Sequence, residues 1–201
     1  IVRNAETNLG DLCADAYRAL SNADIAFVNG GGIRKQIEAG DITLDDIYSV
    51  HPFGNTMCVI RVTGQQVLDA LEWGARAVPS ENGGFLQVSG LTYEIHTGVA
   101  SSAEKDENGM FTRVSGEYRV KNVMVGGQPL ELDKTYTLAS HNYMLLGHGD
   151  GYTMFDGCEV LGEDMMVDNQ VLITYITTTL GGVVGEQYAN PYGDGRIVAV
   201  E

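Results

Sequence analysis

The run Asp24-Ile25-Ala26-Phe27-Val28-Asn29-Gly30-Gly31-Gly32-Ile33-Arg34 sets a short apolar segment directly against three glycines and an arginine. Ile25 to Val28 has the length and branching of a buried strand. Three successive glycines remove every Cβ from the turn that follows, so the backbone can bend sharply and approach a ligand closely. The N–H groups of such a turn can converge into an anion-binding concavity. Arg34 adds a guanidinium fork suited to phosphate or carboxylate, and Asn29 stands at the strand's end, where open sheets commonly hold ligand groups. Taken alone, these residues also fit a plain glycine-rich loop with a solvated arginine, so the rest of the chain must decide.

Before this run, Asn8-Leu9-Gly10-Asp11 opens a helix, with Asn8 as the expected N-cap and Asp11 in the first turn. Leu9, Leu12, Cys13, Ala16, Tyr17 and Leu20 recur at helical spacing and give it one buried face. After it, Thr43 caps a short helix through Tyr48 with Asp46 at the third position, and His51-Pro52-Phe53-Gly54-Asn55 ends that helix. A strand follows over 57–62. Thr63-Gly64 then leads into a helix with Val67, Leu68, Leu71 and Ala75 on one face.

From Phe85 to Val125 the pattern becomes strands, with Leu91, Tyr93 and Ile95 alternating and Gly126-Gly127 forming a turn. Asp106-Glu107-Asn108-Gly109 resembles the start of a calcium loop but lacks its full ligand series, and reads better as a hairpin tip. Further strands at 136–139 and 196–200 flank a last helix over 169–180. Helices and strands do not alternate regularly enough for a doubly wound sheet. We therefore expect α+β: a single domain, residues 1–201, with a mixed β-sheet packed by helices.

The 201 residues contain 44% hydrophobic and 19% charged side chains, ordinary values for a chain with a substantial core. Twelve Lys and Arg against 27 Asp and Glu give a net charge of −15, which argues against a partner gripped through a nucleic-acid backbone. A locally basic pocket can still hold a small anion, which singles out Arg3 and Arg34. Cys13, Cys58 and Cys158 lack metal-type spacing, and the first two fit as small core hydrophobes. No apolar run reaches transmembrane length. The chain opens on Ile1 with neither a start methionine nor a signal peptide, as expected of a piece of a longer polypeptide.

A search for catalytic motifs excludes more than it finds. There is no Gly-Lys-Ser/Thr phosphate loop, no His-Glu-x-x-His and no Gly-x-Ser-x-Gly. The four histidines, His51, His96, His141 and His148, do not stand at metal-ligand spacing with acidic residues. A His141/His148 pair is one reading; one packed and one exposed histidine is the plainer one. Nothing assembles a two-metal centre that would activate water, so we expect neither a catalytic residue nor a metal site within these residues.

A binding constellation is present instead. Aromatics on loops, Phe53 and Tyr143, can sandwich a flat ring. Asp150, between glycines, can accept hydrogen bonds from a ribose diol. Each residue by itself also fits a core, turn or surface role.

Several stretches together resemble the C-terminal domain of the 5′-nucleotidase family. They are Val2-Arg3, Glu6-Thr7-Asn8-Leu9-Gly10-Asp11-Leu12 with Ala14-Asp15-Ala16, Asn29 to Arg34, Gly40-Asp41-Ile42-Thr43 and Pro52-Phe53-Gly54-Asn55. The last is Asn142-Tyr143 with Gly147-His148-Gly149-Asp150-Gly151-Tyr152. The resemblance implies a two-domain hydrolase, extracellular, cell-surface or periplasmic. Its N-terminal metallophosphoesterase domain would hold two divalent metal ions, and its C-terminal domain would supply the substrate pocket. By that resemblance Arg3 and Arg34 contact phosphate, Asn29 contacts the nucleoside or phosphate region, Phe53 and Tyr143 sandwich the base, and Asp150 binds ribose hydroxyls. Gly31, Gly32 and Asn55 complete the expected substrate-binding set.

The expected substrate is a nucleoside 5′-monophosphate. A UDP-sugar, cyclic nucleotide or dinucleotide remains open, as does a stand-alone nucleoside-binding or adhesion module. The isolated chain is expected to bind without turnover. Where the family carries Gly-Gly-Asp this chain reads Gly-His-Gly-Asp, so the reach of Asp150 depends on how the extra residue is absorbed.

Overall fold

The structure, a computed structural model, describes residues 1–201. Helix α1 (Asn8–Ser21) leads into β1 (Ile25–Asn29), then α2 (Leu44–Val50), β2 (Met57–Thr63) and α3 (Gly64–Ala75). Six strands follow in the middle of the chain: β3 (Leu86–Ser89), β4 (Leu91–His96), β5 (Ala103–Lys105), β6 (Phe111–Val114), β7 (Val120–Val125) and β8 (Gln128–Pro129). Strand β9 (Thr135–His141) runs into the single turn α4 (Asn142–Leu145). Strand β10 (Val160–Gly162), helix α5 (Asp168–Thr174) and strand β11 (Ile197–Val200) complete the chain.

The central sheet has the order β10-β2-β9-β1-β3, in which β9 and β1 pair in parallel and every other pair is antiparallel. Every residue of β1 is buried, because the sheet is covered on both faces. Ile25 and Phe27 point to one core with Cys58, Ile60, Val62 and Leu138, which α3 and the second sheet close. Ala26 and Val28 point to the other, with Met57, Val59 and Ala139, beneath α1, α2 and α5. The second sheet, β11-β4-β7-β8, is also mixed, and β5 and β6 form a separate hairpin. The α+β class with mixed sheet is therefore what the chain adopts. Cys13 and Cys58 are fully buried as thiols.

Capping fixes where the helices start. Thr43 and Asp46 form a reciprocal capping box on α2 (3.2 and 2.8 Å), and Thr63 and Gln66 form another on α3 (3.2 and 2.9 Å). The cap of α1 is Thr7 rather than Asn8: the Thr7 hydroxyl accepts the Gly10 N–H at 3.0 Å. Asn8 is already helical, and its side chain donates to the Tyr188 carbonyl at 2.8 Å. The last helix also departs from expectation. Regular α-helix stops at Thr174, and Tyr175–Thr179 forms a π turn before Gly181 takes up a positive φ of 69°. The β-branched run Ile176-Thr177-Thr178-Thr179 crowds the preceding turn, which favours the wider geometry. At the β5–β6 tip, Asp106 Oδ1 accepts the N–H groups of Asn108 and Met110, so this carboxylate caps its own turn.

The chain's two ends are tied together. Glu6 Oε1 accepts the N–H groups of Asp194 and Gly195, and Oε2 accepts that of Ile197. Arg196 grips Asp15 on α1 through two bonds of 2.6 and 2.9 Å. Burial works to raise the Asp15 carboxyl, but the Arg196 bonds and charge, with bonds from Ser89 and Tyr188, outweigh it and hold the carboxyl low. Asp11 is different. Burial, with Glu6 beside it, pushes its carboxyl up to about 8 against the pull of Arg196, whose Nε lies 3.6 Å away.

Candidate functional site

The C-terminal end of β1 delivers Asn29 to a cleft, and Gly30–Gly32 then forms a 3-10 turn. This turn does not present a nest of free N–H groups. The Gly30 N–H bonds the Phe85 carbonyl (2.7 Å), the Gly31 N–H the Gly83 carbonyl (2.8 Å) and the Arg34 N–H the Val50 carbonyl (2.9 Å). The glycines provide closeness instead. A Cβ on Gly30 would lie 2.3 Å from the Val2 carbonyl oxygen, and one on Gly32 would lie 2.7 Å from Asn29 Oδ1. Attraction for an anion is left to Arg3 and Arg34. Neither guanidinium pairs with a carboxylate; Arg34 reaches only the Gly31 carbonyl (3.4 Å) and the face of Phe53, 5.7 Å from its ring centroid.

The loop between α2 and β2 carries Phe53 and Asn55. Phe53 is 58% exposed, a large apolar surface for a side chain beside a cleft. Asn55 is fixed from α5: its N–H donates to Asp168 Oδ2 (3.1 Å) and its carbonyl accepts the Asp168 N–H (2.8 Å). The single turn α4 brings Tyr143, 45% exposed, to the same cavity.

The inserted residue of the Gly147–Tyr152 loop is absorbed by left-handed backbone at both His148 (φ 57°) and Asp150 (φ 56°). Gly149 between them packs so tightly on the Tyr143 ring that a Cβ would lie 2.5 Å from it. Trp73 Nε1 donates to the Asp150 carbonyl at 2.9 Å, anchoring the loop to α3. Asp150 thus reaches the cleft, where Asn29 Nδ2 donates to its Oδ2 (2.6 Å) and the Tyr143 hydroxyl to its Oδ1 (3.2 Å).

All nine candidate residues, Arg3, Asn29, Gly31, Gly32, Arg34, Phe53, Asn55, Tyr143 and Asp150, line one cavity of about 420 Å³, with Gly83 as the tenth lining residue. That volume is within the range of small-molecule sites. Two unpaired guanidinium groups, exposed aromatic rings, and a carboxylate with spare lone pairs suit a ligand with an anionic group, a flat ring and hydroxyls.

Sequence patterns assigned several residues no supporting role at this site. His141, buried at the end of β9, contacts Asn29 Oδ1 through Nε2 at 2.8 Å. His51 Nδ1 donates to the Gly32 carbonyl at 2.9 Å. Burial, and for His141 the neighbouring His51 as well, holds both rings below the usual histidine range, His141 at about 4. His148 lies apart, exposed and bonded to Asp156, so the two histidines of the His141/His148 reading do not meet. A separate acidic group, Glu6, Asp11 and Asp194, brings its oxygens within 4.8 Å of one another. Backbone N–H groups and Arg196 already occupy Glu6 and Asp194, so it reads as the structural tie between the chain's ends.

Fold and cavity together define an α+β domain presenting a small-molecule pocket at one end of a mixed sheet. A family model described as "5′-nucleotidase, C-terminal domain" matches residues 1–157, and the chain belongs to that family. It is 36% identical over 203 residues to the trifunctional nucleotide phosphoesterase protein YfkN of Bacillus subtilis, covering 99% of this chain and 13% of that protein. It is 34% identical over 176 residues to the 5′-nucleotidase of Vibrio cholerae, covering 88% of this chain and 28% of the relative. The crystal structure of a 5′-nucleotidase precursor from Thermus thermophilus superimposes with a TM-score of 0.81 at 32% identity, covering 100% of this chain and 36% of the other. This chain therefore spans a third or less of the two curated relatives. No helix is long and apolar enough to cross a membrane.

Proposed function

We propose that this chain is the substrate-recognition domain of a metal-dependent nucleotidase that cleaves nucleoside 5′-monophosphates to nucleoside and phosphate. The observation that carries the reading is the convergence of five separated segments on one cavity. Arg3 and Arg34 bind the phosphate, Phe53 and Tyr143 stack on either face of the base, and Asp150 accepts from the ribose hydroxyls. Asn29 and Asn55 shape the wall between them, and Gly31 and Gly32 keep the floor open. The names of the relatives, a nucleotide phosphoesterase and 5′-nucleotidases, favour this ligand class. Water activation is assigned to two divalent metals in an N-terminal domain outside these residues. The present chain contributes orientation and charge neutralisation at the phosphate. A location outside the cytoplasm goes with this reading.

Calorimetric titration of the chain with AMP and with adenosine tests it. We expect both to bind, AMP more tightly, and the Phe53→Ala/Tyr143→Ala double variant to lose both. Arg34→Ala should cut the preference for AMP over adenosine by about tenfold, the weight of one charge-assisted hydrogen bond. Absence of binding to adenine, uridine and guanosine nucleotides up to about millimolar concentration, where about −4 kcal/mol would register, overturns the reading.

A further inference from the structure

We infer that His141 is a positioning residue that, through Asn29 and Asp150, makes the pocket selective for a sugar carrying vicinal hydroxyls. The inference rests on the nucleotide-pocket reading above.

The hydrogen bonds behind the pocket run in only one direction. The Asp150 carboxylate accepts, so Asn29 must aim its Nδ2 at Oδ2, 2.6 Å away. That leaves Asn29 Oδ1 facing His141 Nε2 at 2.8 Å. An amide oxygen also only accepts, so the His141 proton must sit on Nε2. His141 Nδ1 is then bare, and it is among the buried polar atoms without a partner.

Gly32 makes this contact possible. A side chain there would meet Asn29 Oδ1 at 2.7 Å and approach His141 Nε2 at 3.7 Å. On the other oxygen of Asp150, the Tyr143 hydroxyl donates as well. The two neighbouring protein groups bonded to this carboxylate are thus both donors, and Asp150 lines the cavity with a lone pair on each oxygen still unfilled. Such a carboxylate favours a ligand offering two adjacent O–H donors over one offering a single donor.

Removing the imidazole leaves Asn29 Oδ1 buried without a donor, which favours turning the amide over. The reversed amide would set oxygen against carboxylate, two acceptors face to face, and Asp150 would leave its pose. The ring stacking and phosphate contacts would remain.

The test compares adenosine with 3′-deoxyadenosine by calorimetry on this chain, whose two cores close within its own residues. The wild type should favour adenosine by about tenfold or more. In His141→Leu the ratio should fall toward one, whereas His141→Gln, which keeps an N–H near the same place, should retain most of it. A purely structural role for His141 would weaken both nucleosides alike and leave the ratio unchanged. Nitrogen NMR of the wild-type imidazole should show the proton on Nε2.

A proton on Nδ1 or an unchanged ratio in His141→Leu overturns the inference while leaving the pocket reading intact, whereas no discrimination by the wild type overturns the inference together with the ribose contact assigned to Asp150. A wild type that binds neither nucleoside overturns the pocket reading itself, whatever the tautomer. Should His141→Leu fail to fold, the tautomer and the ratio in His141→Gln decide.

Discussion

Gly30 matters for the room it leaves beside Val2, and so for where Arg3 stands. Gly30→Ala drives a methyl into the Val2 carbonyl, which would be 2.3 Å away, and the strain is relieved by moving residues 2–3 outward. We expect this variant to keep its affinity for adenosine but lose about fivefold of its preference for AMP, equivalent to roughly 1 kcal/mol, measured by calorimetry. Asp11 provides a second single-residue prediction. Its carboxyl is raised from the ordinary range to about 8 by burial, so the folded state binds the proton more tightly than the unfolded chain. Stability from this group is complete at acid pH and is lost as pH rises toward 8. His141 acts in the opposite sense: its folded value of about 4 lies below the unfolded one, so its contribution is present above about 6.5 and lost on acidification. Between about pH 6.5 and 8 Asp11 therefore stands clear of His141. Urea unfolding across that window should show a decline of up to about 2 kcal/mol, and Asp11→Asn should flatten it.

The caps dominate at the scale of elements. Thr63→Ala removes one half of the capping box on α3 and should cost about 1 kcal/mol, lowering the thermal midpoint by roughly 2–4 °C. The cap on α2 was legible in the sequence because Thr43 and Asp46 lie three residues apart; the same spacing of Thr63 and Gln66 marks the box on α3, where only the helix start had been read. The cap of α1 was misread by one position, since an asparagine and a threonine stood side by side and only a contact to distant Tyr188 decides between them. The π turn after Thr174 left no periodic signal. The same division runs through the site. Residues in short motifs, such as Asn29, Arg34, Phe53 and Asp150, could be proposed from the sequence, yet the partners that orient them could not. His141 meets Asn29 from 112 positions away, Asp168 meets Asn55 from 113, and Trp73 meets Asp150 from 77. Such pairings depend on strand order and have no local spacing to betray them. The glycine turn was read as an N–H nest for a related reason: the carbonyls of Phe85 and Gly83 that consume two of its donors come from beyond the third helix.

Across the whole molecule, the tie between Glu6, Asp15 and the segment 193–197 holds α1, the central sheet and β11 in one body. Asp15→Ala would strip the bidentate partner from Arg196, which is only 14% exposed, and should cost about 3 kcal/mol in urea unfolding. The family model ends at residue 157, but Asn55 in the cavity wall is braced by α5, which lies beyond that point. The cavity itself joins Arg3, the turn after β1, the loop before β2, Gly83 and the Tyr143–Asp150 segment. No part of it is complete within a short stretch of chain, so its assembly must wait for the costliest loop closures. On refolding from denaturant, the far-ultraviolet signal of α1 and α3 should return first, and capture of a fluorescent nucleoside should follow with a measurable delay. A molecule that binds has, by this geography, already brought its distant segments together, so ligand capture serves as a certificate of finished folding.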